Sequence, residues 1–79
     1  MDNQKLEKIL TAVAIEFGSA SKKHGSFHSA HEGYAVILEE LDELKEQVWE
    51  KRARRNPAKM RQEAVQTAAM AVRFIYDLL

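Results

Sequence analysis

The sequence contains no cysteine, only one proline and only three glycines among its 79 residues. Without cysteine, neither disulfide bonds nor thiol chemistry is available to the chain. The scarcity of proline and glycine, together with abundant alanine, leucine, glutamate and lysine, favours helices over strands. A core this small supplies only about 3–5 kcal/mol. We therefore expect one domain, residues 1–79, that gains stability by associating with itself.

Long apolar runs and an excess of charge of either sign are also absent. No apolar run approaches the roughly 18 residues of a membrane span, and the polar N-terminus does not resemble a secretory signal. We therefore expect a cytoplasmic protein without a membrane partner. Twelve basic and twelve acidic residues give a net charge of zero, which argues against a nucleic-acid partner because such proteins usually present a strongly basic surface.

The spacing of apolar residues predicts three helices. The first spans about residues 3–18, where apolar residues recur every three or four positions, and a loop follows to about residue 27. The second spans about 29–55 and begins at a capping box formed by Ser29 and Glu32. The third spans 57–79 and follows Asn56-Pro57, because proline is favoured at the first helical position. The short connection makes the second and third helices antiparallel neighbours.

The third predicted helix is apolar on two faces, which indicates that it is buried from both sides. One face consists of Val65, Ala68, Ala69, Val72, Ile75 and Leu79, and the other of Met60, Ala64, Ala71, Phe74 and Leu78. Three helices do not easily cover both faces. The fold class that we predict is therefore an all-α helical bundle of three helices per chain, completed by oligomerisation.

An acidic cluster on the second helix faces a further carboxylate on the third. Glu39, Glu40 and Glu43 project from one flank because they are three or four residues apart, and Glu63 and Gln66 lie near the start of the third helix. Two partly buried carboxylates about 6 Å apart repel by about 3 kcal/mol at an effective dielectric of 20. A bound Mg²⁺ or Mn²⁺ offsets this repulsion. A solvated acidic face, or salt bridges to Arg61 or Arg73, is the alternative.

Two segments resemble the MazG-like members of the all-α nucleoside triphosphate pyrophosphohydrolase superfamily. They are HEGYAVILEELDEL, residues 31–44, and EAVQTAAMAVRFI, residues 63–75. That superfamily carries a Glu-Glu-x-x-Glu motif on one helix and a Glu-x-x-Asp motif on the next; here Gln66 stands in place of the aspartate. The resemblance implies a homodimer or homotetramer of helical subunits. It also implies Mg²⁺-dependent cleavage of a nucleoside triphosphate to the monophosphate and pyrophosphate, a reaction that cleanses the nucleotide pool.

The resemblance assigns roles to particular residues. The catalytic carboxylates are Glu39, Glu40, Glu43 and Glu63, and the metal ligands are Glu40, Glu43, Glu63 and Gln66. The candidates for substrate binding are Lys51, Arg54, Arg55, Lys59 and Arg61 at the phosphates, His28 and Tyr34 at the base, and also Arg73. For the basic residues, the alternative is a solvated turn that complements the helix dipole. For His28 and Tyr34, the alternative is ordinary packing.

A non-enzymatic function is the second interpretation of the sequence. Gln66 brings no negative charge to the site, and the chain is short. Both features are compatible with a helical oligomerisation module, or with a nucleotide or metal binder whose catalysis has eroded.

Overall fold

The computed structural model describes residues 1–79 and consists of three α-helices joined by short segments. Helix α1 spans Asn3–His24, α2 spans Ala30–Trp49 and α3 spans Pro57–Leu78, with a short 3₁₀ helix at Arg52–Arg54. There is no strand, so the prediction of an all-α fold with three helices is confirmed. None of the three helices combines the length and the apolar character needed to cross a bilayer.

The predicted starts of α2 and α3 are confirmed by their capping contacts. The Ser29 hydroxyl accepts a hydrogen bond from the backbone N–H of Glu32 at 3.1 Å, and the Glu32 carboxylate accepts one from the backbone N–H of His28 at 3.0 Å. The Asn56 side chain caps α3, with Pro57 in its first turn. These contacts satisfy N–H groups that have no partner within the helix.

The predicted end of the first helix at residue 18 is wrong, because α1 continues to His24. Gly18 is tolerated inside the helix, and a single glycine costs only about 0.5–1 kcal/mol there. The added turn buries Ala20 in the core. The helix ends instead at Gly25, which has φ of 73° and donates its N–H to the carbonyl of Ser21 at 2.9 Å. This left-handed conformation favours glycine.

The predicted end of the second helix at residue 55 is also wrong, because α2 stops at Trp49. A continuous helix would place Lys51 three residues from Arg54 and four from Arg55, where like charges repel. In the observed turn, the Arg55 Nε donates to the carbonyl of Val48 at 3.1 Å. One of the unpaired carbonyls at the end of α2 is thereby satisfied.

Helix α3 is the central element of the fold. Both α1 and α2 pack against α3, but they do not pack against each other. The buried apolar residues are Ala20, Phe27, Ala69 and Met70, and the half-buried residues around them are Val13, Phe17, Val36, Ile37, Phe74 and Leu78. The ring of Phe17 on α1 meets that of Tyr76 on α3 edge to face at 5.1 Å. This arrangement leaves a wedge between α1 and α2, with α3 as its floor.

Only part of the apolar stripe on α2 is used against α3. Val36 and Ile37 pack on the core, whereas Tyr34 and Leu41 are 63% and 47% exposed. The apolar residues of α2 are therefore turned partly toward solvent. As a result, the carboxylate flank of α2 lies beside the wedge.

Two glycines provide a matched test of this packing. A Cβ at Gly33 would lie 2.6 Å from Cδ2 of Phe74 and 3.3 Å from Cδ2 of Phe27, whereas a Cβ at Gly18 meets nothing within 4 Å. We expect Gly33→Ala to lower the free energy of unfolding by about 1 kcal/mol or more, since overpacking costs about 1–3 kcal/mol. Gly18→Ala should raise it by about 0.5–1 kcal/mol. Urea unfolding measures both, and equal effects would contradict the packing described here.

Candidate metal centre

Three carboxylates from two helices converge at the edge of the wedge. Glu40 and Glu43 on α2 and Glu63 on α3 each offer one oxygen, and these oxygens all lie within 4.8 Å of one another. Oxygen ligands about 2.1 Å from Mg²⁺ lie about 3 to 4.2 Å apart. The cluster is thus slightly wider than a bound Mg²⁺ requires. Small side-chain rotations within the cluster would close the difference.

No cationic side chain forms an ion pair with this cluster, although the charge of Lys59 acts on Glu63. The only ion pair within 4.0 Å in the chain joins His28 and Glu32 at 3.5 Å, away from the three carboxylates. The salt bridges to Arg61 or Arg73, considered above as an alternative, are therefore not formed. Glu63 is only 6% exposed, so its charge is largely removed from water. A buried carboxylate without a cation is costly, and a metal ion is one way to compensate it.

The raised pKa values of Glu40 and Glu63 show that this arrangement disfavours the charged forms of both groups. Burial, and next the charge of Glu43, raise the pKa of Glu40 to about 7. Burial, and next a side-chain hydrogen bond with Glu43, also raise the pKa of Glu63. Both groups therefore hold a proton more readily than an ordinary glutamate does. A cation bound between them would remove this preference because it stabilises the charged form.

Gln66 lies against the same carboxylates. With both carboxylates ionised, we assign the Gln66 amide with its nitrogen toward them, where it donates to Oε2 of Glu63 at 3.0 Å and to Oε2 of Glu40 at 3.3 Å. The opposite orientation would bring the amide oxygen against the same oxygens, which offer it a hydrogen only when protonated, so the donor arrangement belongs to ionised Glu40 and Glu63. In this arrangement Gln66 therefore acts as a donor that links α2 to α3. To ligate a metal through its oxygen, as the resemblance implies, the amide must turn over.

A cavity of about 640 Å³ adjoins the cluster and fills the wedge. Helix α1 contributes Glu16, Ser19, Ala20, Lys23 and His24; the loop and α2 contribute Ser26, Phe27, His28, Glu32, Val36, Glu39, Glu40 and Glu43; and α3 contributes Gln66, Met70 and Arg73. Its volume lies within the range of about 300–1,000 Å³ that is usual for small-molecule sites. The three-carboxylate cluster adjoins one end of the cavity. The other, here called the apolar end, holds Phe27 and Met70 beside Arg73, with the exposed Glu32 and His28 also among its lining residues.

Several of the predicted site residues meet in this cavity. Glu39, Glu40, Glu43, Gln66, His28 and Arg73 line it, and Glu63 belongs to the adjoining cluster. Tyr34, predicted at the base, is exposed and does not line the cavity. The predicted phosphate-binding residues Lys51, Arg54, Arg55, Lys59 and Arg61 do not line it either. Arg61 instead borders a groove between α1 and α3.

Sequence reasoning missed the contribution of α1 to the site. Glu16 and Lys23 line the cavity, and the charge of Glu16 adds to the rise in the pKa of Glu40. The missed signal was Ala20, which continues the apolar spacing from Phe17 for another turn. Extending the helix to Ala20 would have placed Glu16 and Lys23 on the flank beside the apolar stripe.

Arg73 and Asp77 fasten the loop between α1 and α2 onto α3. Nη2 of Arg73 donates to the carbonyl of Gly25 at 2.7 Å, and the guanidinium carbon lies 4.1 Å from the centre of the Phe27 ring. Oδ2 of Asp77 accepts a hydrogen bond from the backbone N–H of Phe27 at 2.9 Å. These contacts hold residues 25–27 across one end of the cavity.

Comparison of the chain with protein-family models, curated proteins and solved structures finds no match. The structural features that point to a function are the carboxylate cluster, which forms no ion pair, and the cavity beside it.

Proposed function

We propose that this chain is a Mg²⁺- or Mn²⁺-dependent nucleoside triphosphate pyrophosphohydrolase, which converts a (deoxy)nucleoside triphosphate to the monophosphate and pyrophosphate. The observation that carries the proposal is the convergence of Glu40, Glu43 and Glu63, without a cationic partner, at the end of a ligand-sized cavity. The resemblance of residues 31–44 and 63–75 to the MazG-like pyrophosphohydrolases supports the same reaction. Clearance of the nucleotide pool is the role that we propose with it.

The chemistry of the donor set favours a hard divalent cation. All three groups are carboxylates, and no histidine belongs to the cluster. Oxygen ligands of this kind suit Mg²⁺ and Mn²⁺, which usually keep several waters and share phosphate oxygens with a substrate. When bound, such an ion would neutralise phosphate charge and activate a water for attack.

In this proposal, the site residues have separate roles. Glu40, Glu43 and Glu63 would hold the ion. Glu39 lines the cavity but lies outside the cluster, so its carboxylate is free to accept the proton of the attacking water. Arg61 borders a smaller pocket together with Glu16 and Gln66, so it lies close enough to the site to contact the phosphates. Lys51, Arg54 and Arg55 line neither pocket and would contribute only from a second subunit.

Self-association is the second part of the proposal. The chain exposes 6165 Å², whereas a folded monomer of 9.0 kDa is expected to expose about 4,850 Å². The excess of about 1,300 Å² exceeds the roughly 800 Å² that each partner contributes to a standard interface. Large apolar side chains are exposed on every helix, including Ile9, Leu10, Leu41, Trp49, Val72 and Ile75. A homodimer or homotetramer would cover them.

The direct test of the enzyme is a screen for pyrophosphate release. Common and modified nucleoside triphosphates are incubated with the purified protein and Mg²⁺ or Mn²⁺, with EDTA in a parallel reaction. We expect metal-dependent release from at least one substrate. A folded protein that is silent across the panel would contradict catalysis.

The hydrogen bonds of Gln66 favour a second candidate, a metal or nucleotide binder with the same fold and no turnover. Gln66 contributes donor hydrogens to Glu40 and Glu63 where the related motif has an aspartate. A donor in this position competes with a cation for the same carboxylate oxygens. Binding of Mn²⁺ without hydrolysis of any triphosphate would favour this candidate.

Gln66→Asp separates the effect of this residue from the rest of the site. We expect the affinity for Mn²⁺ to rise by about 10–100-fold, the range that neighbouring groups usually exert on a metal site, with faster turnover if the enzyme is active. The metal-free protein should become less stable because a further charge joins the cluster. Calorimetric Mn²⁺ titration measures the affinity. Gln62→Asp, at an exposed position on the same helix, is the control; an unchanged affinity in Gln66→Asp would contradict the expectation.

A further inference from the structure

Arg73 is a buried cation that forms no ion pair, although its charge contributes to lowering the pKa of the nearby Glu32. Its side chain is only 3% exposed, and no carboxylate lies within 4.0 Å of it, since the single ion pair of the chain is elsewhere. A guanidinium has five N–H donors. The chain provides acceptors for two: the Gly25 carbonyl and the sulfur of Met70, at 2.7 and 3.2 Å. Nε is buried and has no acceptor.

The surroundings of Arg73 form the apolar end of the cavity. The four apolar residues that line the cavity are Ala20, Phe27, Val36 and Met70. Two of them, Phe27 and Met70, contact the guanidinium directly. This end therefore offers a flat ligand an apolar surface with hydrogen-bond donors, and Arg73 itself offers no acceptor. A ligand group that presents an oxygen to Arg73 would be favoured there.

The two ends of the cavity are separated by a distance that suits a nucleotide. Gln66 at the carboxylate end and Arg73 at the apolar end are seven residues apart on α3, which corresponds to about 10.5 Å along the helix axis. A nucleotide whose phosphates are held at the carboxylates would extend its base toward Arg73. The base edge farthest from the sugar would then meet the guanidinium.

We infer that Arg73 is the specificity-determining residue for the base, an inference that rests on the proposed function. The site would prefer bases with a keto oxygen at the edge farthest from the sugar, such as uracil, thymine and hypoxanthine. Cytosine and adenine carry an amino group at that edge. An amino group would set donor against donor at a buried guanidinium, and sites built to pair with a particular polar group reject analogues that lack it.

The test uses uncharged nucleosides and the 79-residue chain in EDTA, so that neither metal nor turnover affects the result. Binding is followed by two-dimensional NMR titration. We expect deoxyuridine and thymidine to bind at least about fivefold more tightly than deoxycytidine, and deoxyinosine to exceed deoxyadenosine similarly, because one good pair at a base edge is worth at least that factor. Equal affinities within each pair, or no binding of any nucleoside, would overturn the inference.

Variants separate base recognition from the structural role of Arg73. In Arg73→Met the preference for keto bases should fall to about one, and in Arg73→Lys it should fall in part, because charge remains but the planar fork is lost. Asp77→Ala frees the same loop by removing the acceptor of the Phe27 N–H, yet leaves the guanidinium in place. It should weaken binding of all the nucleosides and keep the preference. An unchanged preference in Arg73→Met, or its loss in Asp77→Ala, would contradict base recognition by Arg73.

The proposed hydrolysis and the proposed base preference can be contradicted independently of each other. Metal-dependent hydrolysis without a keto preference would overturn the role of Arg73 and leave the proposed reaction standing. A keto preference in the binding titration, with no triphosphate hydrolysed, would overturn the reaction and leave the role of Arg73 standing.

Discussion

Glu43→Gln is expected to lower metal-dependent pyrophosphate release by at least about 100-fold. Groups next to a metal ligand typically change affinity or activity by 10–100-fold, and loss of a ligand should cost no less. Glu43 is the exposed member of the three-carboxylate cluster, so the change to glutamine removes charge with little disturbance of the core. Initial rates at saturating Mg²⁺ measure the effect.

The same variant should fold at least as stably as the parent in EDTA. Glu43 raises the pKa of Glu40 by its charge and that of Glu63 by a hydrogen bond, so removing its charge relieves repulsion. Loss of activity without loss of stability identifies a functional carboxylate. The control is Asp42→Asn on the outer face of α2, where Asp42 lies beside Leu41 and Trp49. Equal losses in both variants, or full activity in Glu43→Gln, would contradict the site.

The metal-free protein is expected to lose stability as the pH rises from about 5 to about 8, and Mg²⁺ or Mn²⁺ should restore it. The pKa of Glu40 rises from 4.5 to about 7, chiefly because of burial, and that of Glu63 rises for the same reason. Between pH 4.5 and about 7, the folded state therefore binds more protons than the unfolded state. The contribution of these two groups to the stability of the folded state is therefore greatest below pH 4.5. It is lost as the pH rises through their folded pKa values.

The expected size of this effect is about 1 kcal/mol, allowing for the partial exposure of Glu40. For a domain of this size, that corresponds to a change of about 4–8 °C in Tm. Glu32, whose pKa is lowered first by its hydrogen bond from the His28 backbone, acts in the opposite sense and only at lower pH. Thermal melts with EDTA or Mg²⁺ at the two pH values measure the linkage. Glu40→Gln should flatten the profile, and a metal-free protein more stable at the higher pH would contradict the account.

Local sequence signals were sufficient for much of the fold because they act over a few residues. Ser29 and Glu32 at the start of α2, and Asn56-Pro57 at the start of α3, form the caps that their types predict. The short junction sets α2 beside α3, and this pairing brings Glu63 to Glu40 and Glu43. The acidic cluster was therefore predictable from spacing alone.

The remainder of the site depends on tertiary packing that spacing does not encode. Gly18 resembles a helix end, but the burial of Ala20 outweighs its small cost, and the longer α1 places Glu16 and Lys23 in the cavity wall. The burial of Arg73 depends on a loop 48 residues away in sequence. Gln66 is a possible ligand by residue type, yet its neighbours make it a donor.

The most direct test of the central claim, that Glu40, Glu43 and Glu63 hold a divalent cation, is paramagnetic broadening by Mn²⁺ in the two-dimensional NMR spectrum of the protein. At substoichiometric Mn²⁺, the backbone signals of Glu40, Glu43, Glu63 and Gln66 should disappear first, and excess Mg²⁺ should restore them. The signals of Asp2 and Glu7, near the start of α1, should persist. Broadening that begins at those exposed acidic residues, or that spreads evenly over the surface, would contradict the metal site and the function built on it.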